Sequence, residues 1–178
     1  KLNKIKKKTK KKIIFSIGNT IKRDKEDYYF TPHRIFKHAI VFGIVVFNDK
    51  FAKLSIRLLD GKVDYIMVDA EKKIFPKSDE IPGNIERRAR ENIKNSKLLI
   101  YKGNDLTVDS IDLFLTYYFN DDIRGLGGKK ITIIGAGNIG AKLALILLER
   151  GSKVVICRRD FNKSKLIAKT INLIKPKN

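Results

Sequence analysis

The residues that decide the fold are Ile131-Thr132-Ile133-Ile134-Gly135-Ala136-Gly137-Asn138-Ile139-Gly140. The first four form an apolar run, which is typical of a strand buried on both faces. Glycines then occupy the first, third and sixth positions of the turn. Residues 142–150 have a helical pattern that ends at Gly151, and 154–157 form a second apolar run. A strand, a glycine-rich turn, a helix and a strand in this order predict the phosphate-binding unit of a Rossmann fold.

The three glycines have separate roles in this interpretation. Gly135 lets the chain turn sharply, Gly137 lets a pyrophosphate approach the backbone, and Gly140 lets the helix pack against the strand. The helix N-terminus offers N–H groups and the positive end of its dipole to the phosphates. The predicted cofactor contacts are Gly135, Ala136, Gly137, Asn138, Ile139 and Gly140. The alternative is a glycine-rich turn that binds nothing, as in a degenerate Rossmann domain.

The residues after the second strand indicate which dinucleotide would bind. NAD-preferring folds place a carboxylate about 20 residues past the first glycine, where it holds the ribose 2′-hydroxyl. Here that position holds Arg158, and Arg159 follows it. Two guanidiniums would pair with a 2′-phosphate, which favours NADP over NAD. NAD stays open because Asp160 is near enough to take the acidic role, and solvated surface arginines are the alternative.

Ahead of the turn, the pattern predicts a separate α/β domain over residues 13–122. The glycine- and aspartate-containing segment 120–128 is the best domain boundary. The Rossmann domain then occupies 128–178 as a βαβα unit with a parallel sheet, and its last helix covers 161–174. The first domain is predicted to contain strands over 12–17, 52–59, 63–70 and 98–101, helices over 85–96 and 108–119, a helix from Thr31-Pro32 to about Phe42, a hairpin turn at Asp60-Gly61 and a loop over 72–83.

The chain is strongly basic, with a formal net charge of +20. Eight of the first twelve residues are lysines, so we interpret 1–12 as a mobile lysine-rich arm. Such charge suits nucleic acid or an anionic membrane, or else a solvated lysine-rich surface. We favour the solvated surface over a nucleic-acid partner, because the sequence has no RNA-binding aromatic signature and no zinc-finger spacing.

Cysteine content and hydropathy restrict the compartment. The single cysteine, Cys157, allows no intrachain disulfide and no cysteine cluster for a metal, which suits a reducing cytoplasm. We expect Cys157 to be a small buried residue at the end of its strand. The longest apolar run, 39–47, is about half of a membrane span, so we predict a cytoplasmic protein without a membrane partner.

From Gly128 onward the sequence resembles the NADP-binding domain shared by shikimate/quinate dehydrogenases and glutamyl-tRNA reductases. The resemblance is carried by Gly128-Lys129-Lys130 at the strand start and by Ile134-Gly135-Ala136-Gly137 at the turn. That family ends its second strand in Asn-Arg-Thr, where this chain has Arg158-Arg159-Asp160. The resemblance therefore places Arg159 at the arginine that binds the NADP phosphate.

The resemblance also implies a small α/β substrate domain in front of the Rossmann domain. Ile17-Gly18 and Thr31-Pro32 are similar to the start of the shikimate family, and Thr107-Val108-Asp109 stands near its Asn-Thr-Asp motif. The family's Asn-Val-Thr-x-Pro-x-Lys stretch and the Thr-Cys-Asn-Arg of the reductases are absent. The resemblance implies a divergent NADP-dependent oxidoreductase acting on a small carbonyl or alcohol.

Hydride transfer to a carbonyl needs a proton donor near its oxygen. We predict Asp109 and Lys102 as the catalytic pair, because the segment before the boundary would line an interdomain cleft. Helix-terminal charge for Asp109 and a surface position for Lys102 are the alternatives. We interpret His33 and His38 as ordinary helix residues and predict no metal site. The carboxylates Asp64, Asp69 and Glu71 suggest either a strand-edge site or a solvated face.

Two further functions stay open at this point. A non-catalytic NAD(P)-sensing module would use the same turn, and a basic nucleic-acid-associated protein would use the lysine-rich arm. The nucleotide domain ends after two strands, whereas the second half of a Rossmann fold normally cradles nicotinamide. We therefore expect an incomplete domain, extended by a missing C-terminal portion or by another chain, which leaves a homo-oligomer open.

Overall fold

The computed structural model describes residues 9–20, 28–71 and 85–174. These form two compact units that divide between Lys102 and Gly103. The strands are β1 (Lys12–Asn19), β2 (Tyr28–Ile35), β3 (Ala39–Val46), β4 (Tyr65–Asp69), β5 (Lys97–Tyr101), β6 (Lys130–Ile134) and β7 (Lys153–Cys157). The helices are α1 (Asp49–Leu59), α2 (Ile85–Asn92), α3 (Gly103–Tyr118), α4 (Asn138–Glu149) and α5 (Phe161–Ile174). The chain is thus an α/β protein whose strands pair mainly in parallel.

The first unit is a five-stranded sheet in the order β2-β3-β1-β4-β5. β1, β3, β4 and β5 run parallel, and β2 pairs antiparallel with β3 at the edge. Alternate residues of β1 are buried because successive side chains of a strand point to opposite faces. The helices contribute apolar residues four positions apart, such as Ala52 and Ile56 in α1, to the same core.

The ends of α1 are determined by polar side chains. The Asn48 side chain accepts a hydrogen bond from the Phe51 N–H at 3.1 Å, so the first turn is capped within the protein. The chain then turns at Gly61, whose φ is +76°. Beside it, the Asp60 carboxylate accepts backbone N–H groups of Lys94, Asn95 and Ser96 between α2 and β5.

The second unit contains only β6 and β7 as paired strands among its described residues, and they run parallel. Its core joins Ile133 to the apolar sides of three helices, through Val108, Leu143, Leu147 and Ile171. The other face is open, since the Ile134 side chain is 88% exposed. The prediction that this strand is buried on both faces is therefore wrong. The helices in the described part of the unit contribute their apolar residues to one core and leave the outward positions of both strands uncovered.

The helix predicted from Thr31-Pro32 to Phe42 is wrong, because this segment forms β2 and β3. Thr-Pro is a common helix start, but the apolar run of β3 gains two neighbours by pairing with β1 and β2. Pro32 falls in the register shift between Thr31 and Arg34. At an irregular position of an edge strand, the missing proline N–H disrupts little of the ladder. His33 and His38 consequently do not lie on a helix.

The strand predicted over 52–59 is also wrong, because this segment is α1. Leu54 and Leu58 alternate with Ala52 and Ile56, which mimics a strand, but the two leucines are exposed and only the helical spacing reaches the core. Asp60-Gly61 is therefore the end of a helix rather than a hairpin turn. The structure confirms the other predicted strands and helices, with shifts of a few residues at their ends: 12–17, 63–70, 85–96, 98–101, 108–119, 131–134, 142–150, 154–157 and 161–174.

The glycine-rich segment 120–128 lies within the second unit, whereas the sequence placed the domain boundary there. Leu126 is buried, and its carbonyl accepts the Ser152 hydroxyl at 2.8 Å. The Gly128 N–H donates to the Gly151 carbonyl at 2.9 Å, so the segment packs against the end of α4. Residues 1–8 of the predicted arm and the loop over 72–83 lie outside the described residues, and Lys12 already belongs to β1.

Two searches of the described ranges were negative. None of the helices there has the length and apolar character that a membrane crossing requires. The same ranges contain no group of three or more His, Cys, Asp or Glu side chains arranged to hold a metal ion.

Candidate dinucleotide-binding site

The turn between β6 and α4 has the backbone geometry that its glycines predict. Gly135 has a φ of +98°, a conformation that residues with a Cβ rarely adopt. Its N–H donates to the Cys157 carbonyl at 2.8 Å, which ties the start of the turn to the end of β7. The chain therefore leaves the sheet beside the neighbouring strand.

The other two glycines meet opposite surroundings. A Cβ at Gly140 would lie 2.5 Å from the Gly135 carbonyl oxygen and 3.2 Å from the Ile133 side chain. A methyl group there would separate α4 from β6. A Cβ at Gly137 would meet no atom within 4 Å, so this backbone faces open space. The missing side chain at Gly140 is thus required for packing, whereas the missing side chain at Gly137 leaves room for a ligand.

The N-terminus of α4 has no side-chain cap. Gly137 is the N-cap residue, and its carbonyl accepts the Ala141 N–H at 2.9 Å. Gly137 has no side chain with which to bond the N–H groups of the first turn, in contrast to Asn48 of α1. Backbone donors and the helix dipole at such an end favour an anion. These groups fit the pyrophosphate of a dinucleotide.

A cleft of about 610 Å³ adjoins this turn. The residues that line it are Ile134, Gly135, Ala136, Gly137, Cys157, Arg158, Arg159 and Asp160. Arg158 is half-buried, and its Nη1 donates to the Ala136 carbonyl at 3.0 Å. Arg159 is exposed. The structure therefore brings both predicted arginines to the same cleft as the glycines.

Asp160 and Cys157 also line the cleft, and their surroundings differ from what the sequence predicted. Asp160 accepts the Lys163 N–H at 3.1 Å at the start of α5, and this hydrogen bond holds the pKa of its carboxyl below the usual value. Cys157 is exposed, so the expectation of a buried residue is wrong. Successive side chains of β7 alternate between the covered and the uncovered face, and the Cys157 side chain lies on the uncovered one.

The predicted catalytic residues lie in different units. Lys102 is the last residue of the first unit, and Asp109 lies within α3 of the second. Both side chains are exposed. Since α3 begins at Gly103, the acidic residue in its first turn is Asp105 rather than Asp109. Asp105 forms an ion pair with Lys142 of α4. The catalytic roles of Lys102 and Asp109 stay a prediction.

A buried polar cluster at the carboxyl ends of β1 and β4 escaped the sequence analysis. Asp69 is 3% exposed and Asn19 is 6% exposed, so the interpretation of Asp69 as part of a solvated face is wrong. The Asn19 amide donates to the Glu71 carbonyl at 2.8 Å, and Asp69 accepts the Glu71 N–H at 3.0 Å. Asp64 instead accepts the Ile13 N–H at 2.8 Å. Asn19 and Asp69 are the last residues of two neighbouring parallel strands, and this placement is the signal that could have identified the cluster.

The chain is similar in part to known proteins. A family model described as NADP oxidoreductase, coenzyme F420-dependent, matches residues 130–178. A shikimate dehydrogenase (NADP(+)) of Archaeoglobus fulgidus is 37% identical over 68 residues. That stretch covers 33% of this chain and 25% of the relative, so the chain spans about a quarter of the length of the curated relative it matches. Both matches agree with the resemblance inferred from the turn.

Proposed function

We propose, on the premise that residues 130–178 form a divergent NAD(P)-binding Rossmann segment, that the chain binds NADP(H) at the turn before α4. The protein is then an NADP-dependent oxidoreductase that transfers hydride to or from a small carbonyl or alcohol. The observation that carries this proposal is the uncapped N-terminus of α4 beside Gly137. An internally capped helix, such as α1, has fewer free donors for a phosphate.

The residues of the cleft suit the parts of the dinucleotide. The N–H groups at the start of α4 would bind the pyrophosphate, and the space at Gly137 would let it approach. The guanidiniums of Arg158 and Arg159 follow β7, where the adenosine ribose would lie. Asp160 already accepts the Lys163 N–H, which supports a 2′-phosphate over a 2′-hydroxyl at this position.

The bound nicotinamide would supply or accept the hydride. The chain's own task is then to move a proton at the substrate oxygen. Lys102 could donate such a proton and Asp109 could accept one, as we predicted from the sequence. The proposal includes a small-molecule substrate and a cytoplasmic location.

The decisive test is a fluorescence titration of the chain with NADPH and with NADH. We expect NADPH to bind more tightly, and Arg159→Ala to weaken NADPH by about tenfold because a charged hydrogen-bonding partner is lost. Arg124→Ala is the matched control, since this exposed arginine lies outside the cleft. Failure of the wild-type chain to bind either nucleotide would contradict the proposal.

A second candidate is an NAD(P)-sensing module without turnover, which would use the same turn. Neither Lys102 nor Asp109 is among the residues that line the cleft beside that turn. NADPH binding without any NADP⁺ reduction across a panel of small alcohols, shikimate included, would favour sensing. Substrate-dependent NADP⁺ reduction that Asp109→Asn abolishes would favour the enzyme.

A further inference from the structure

The two arginines after β7 differ in what they contact. Arg158 is half-buried and donates from Nη1 to the Ala136 carbonyl at 3.0 Å. Arg159 is exposed and makes no hydrogen bond or ion pair within the described ranges. If both arginines served only to bind a 2′-phosphate, neither guanidinium would need a hydrogen bond to the turn.

The carbonyl that Arg158 contacts belongs to the peptide between Ala136 and Gly137. The N–H of the same peptide donates to the Gly135 carbonyl at 3.0 Å. In a trans peptide the C=O and N–H point in opposite directions, so these two hydrogen bonds hold the peptide plane from both sides. This peptide leads directly into the N-cap of α4.

The peptide needs such support because glycines lie close on either side of Ala136. A residue without a Cβ allows rotations that other residues resist, and both Gly135 and Gly137 lack one. Rotation of the peptide would exchange the positions of its C=O and N–H. A carbonyl oxygen turned toward the start of α4 would repel the phosphates that the helix N–H groups attract.

We propose that Arg158 is a positioning residue that holds the phosphate-binding turn in shape, and that Arg159 alone distinguishes NADPH from NADH. This division rests on the proposed dinucleotide function. It follows that Arg158 serves both nucleotides equally, since both contain the pyrophosphate. Arg159 serves only the nucleotide that carries the 2′-phosphate.

The test compares NADPH and NADH titrations for four variants of the full chain. We expect Arg158→Ala to weaken both nucleotides by about tenfold, the loss of one charged hydrogen bond, with their affinity ratio changed by less than about twofold. Arg158→Gln should recover most of the affinity, because its amide can donate to the Ala136 carbonyl without a charge. Arg159→Ala should weaken NADPH alone, and Arg124→Ala should change neither.

A second readout separates positioning from phosphate binding. Amide hydrogen exchange at Gly137, measured without nucleotide, should become several-fold faster in Arg158→Ala and return toward the wild-type rate in Arg158→Gln. Should Arg158→Ala fail to fold, the Gln variant alone decides, by keeping or losing the affinity for both nucleotides together. Loss of NADPH affinity alone in either Arg158 variant would overturn the division of roles. Absence of binding by the wild type would overturn the proposed function, while the exchange rates would still test the hold on the turn.

Discussion

The two units use parallel strands in different ways. In the first unit, β1 has neighbours on both sides, and Ile17 is 0% exposed beneath α1 and α2. In the second, β6 pairs only with β7, and Ile134 is 88% exposed. The N-termini of two helices differ as well, because α1 is capped by Asn48 and α4 has no side-chain cap. The first unit thus covers its central strand and caps α1 from within, whereas the second leaves Ile134 exposed and the start of α4 without a side-chain cap.

The largest expected effect tests the difference in burial. Ile17→Ala should destabilise the first unit by about 2–5 kcal/mol, because it opens a cavity in a closed core. Ile134→Ala, the matched change at an exposed strand position, should alter stability by less than about 0.5 kcal/mol. Urea unfolding of both variants measures the free energies. Equal losses would mean that Ile134 is covered in solution and that the comparison fails.

The next largest effect on stability is expected at the glycines of the turn. Gly140→Ala should destabilise the second unit by about 1–3 kcal/mol, because its Cβ would lie 2.5 Å from the Gly135 carbonyl oxygen. Gly137→Ala should leave thermal stability nearly unchanged, since its Cβ meets no atom within 4 Å. It should instead weaken NADPH in a titration. A melting temperature that falls equally in both variants would contradict the distinction between packing and ligand space.

The caps should give a smaller difference. Asn48→Ala should destabilise the first unit by about 1 kcal/mol, because the Phe51 N–H loses its partner. Added NADPH should not restore that loss, whereas it should raise the melting temperature of the second unit. Thermal unfolding with and without nucleotide measures both. Rescue of Asn48→Ala by nucleotide would show that the two helix ends are not independent.

The smallest effect concerns pH and belongs to the first unit. Burial raises the pKa of Asp60, but hydrogen bonds from Ser96, Asn95 and Lys94 outweigh it and leave that pKa below its usual value. A lowered pKa in the folded state stabilises above the unfolded pKa, and the contribution is lost as pH falls through the folded value. Wild-type stability should therefore decrease on acidification more than that of Asp60→Asn. Parallel curves from pH 5 downward would contradict this role.

Local patterns predicted the second unit better than the first. Residues 131–157 encode a strand, a glycine-rich turn, a helix and a second strand within one short stretch, so the order of elements could be inferred directly. At 52–59 the same apolar residues fit a strand and a helix, and the sheet partners that decide between them lie far along the chain. The bare face of β6 and β7 was not predictable, because an apolar run does not encode which element covers it. The hydrogen bond from Arg158 to Ala136 likewise depends on the pairing of two strands.

The irregular β2 also has a consequence for self-association. An edge strand with free backbone donors is a template on which another chain can add a strand, and β2 exposes Phe30 and Ile35. Pro32 contributes no N–H, and the register shift beside it breaks the regular spacing that a new strand would need. Pro32 and this irregularity therefore disfavour the addition of another strand, whereas the exposed side chains of Phe30 and Ile35 favour it.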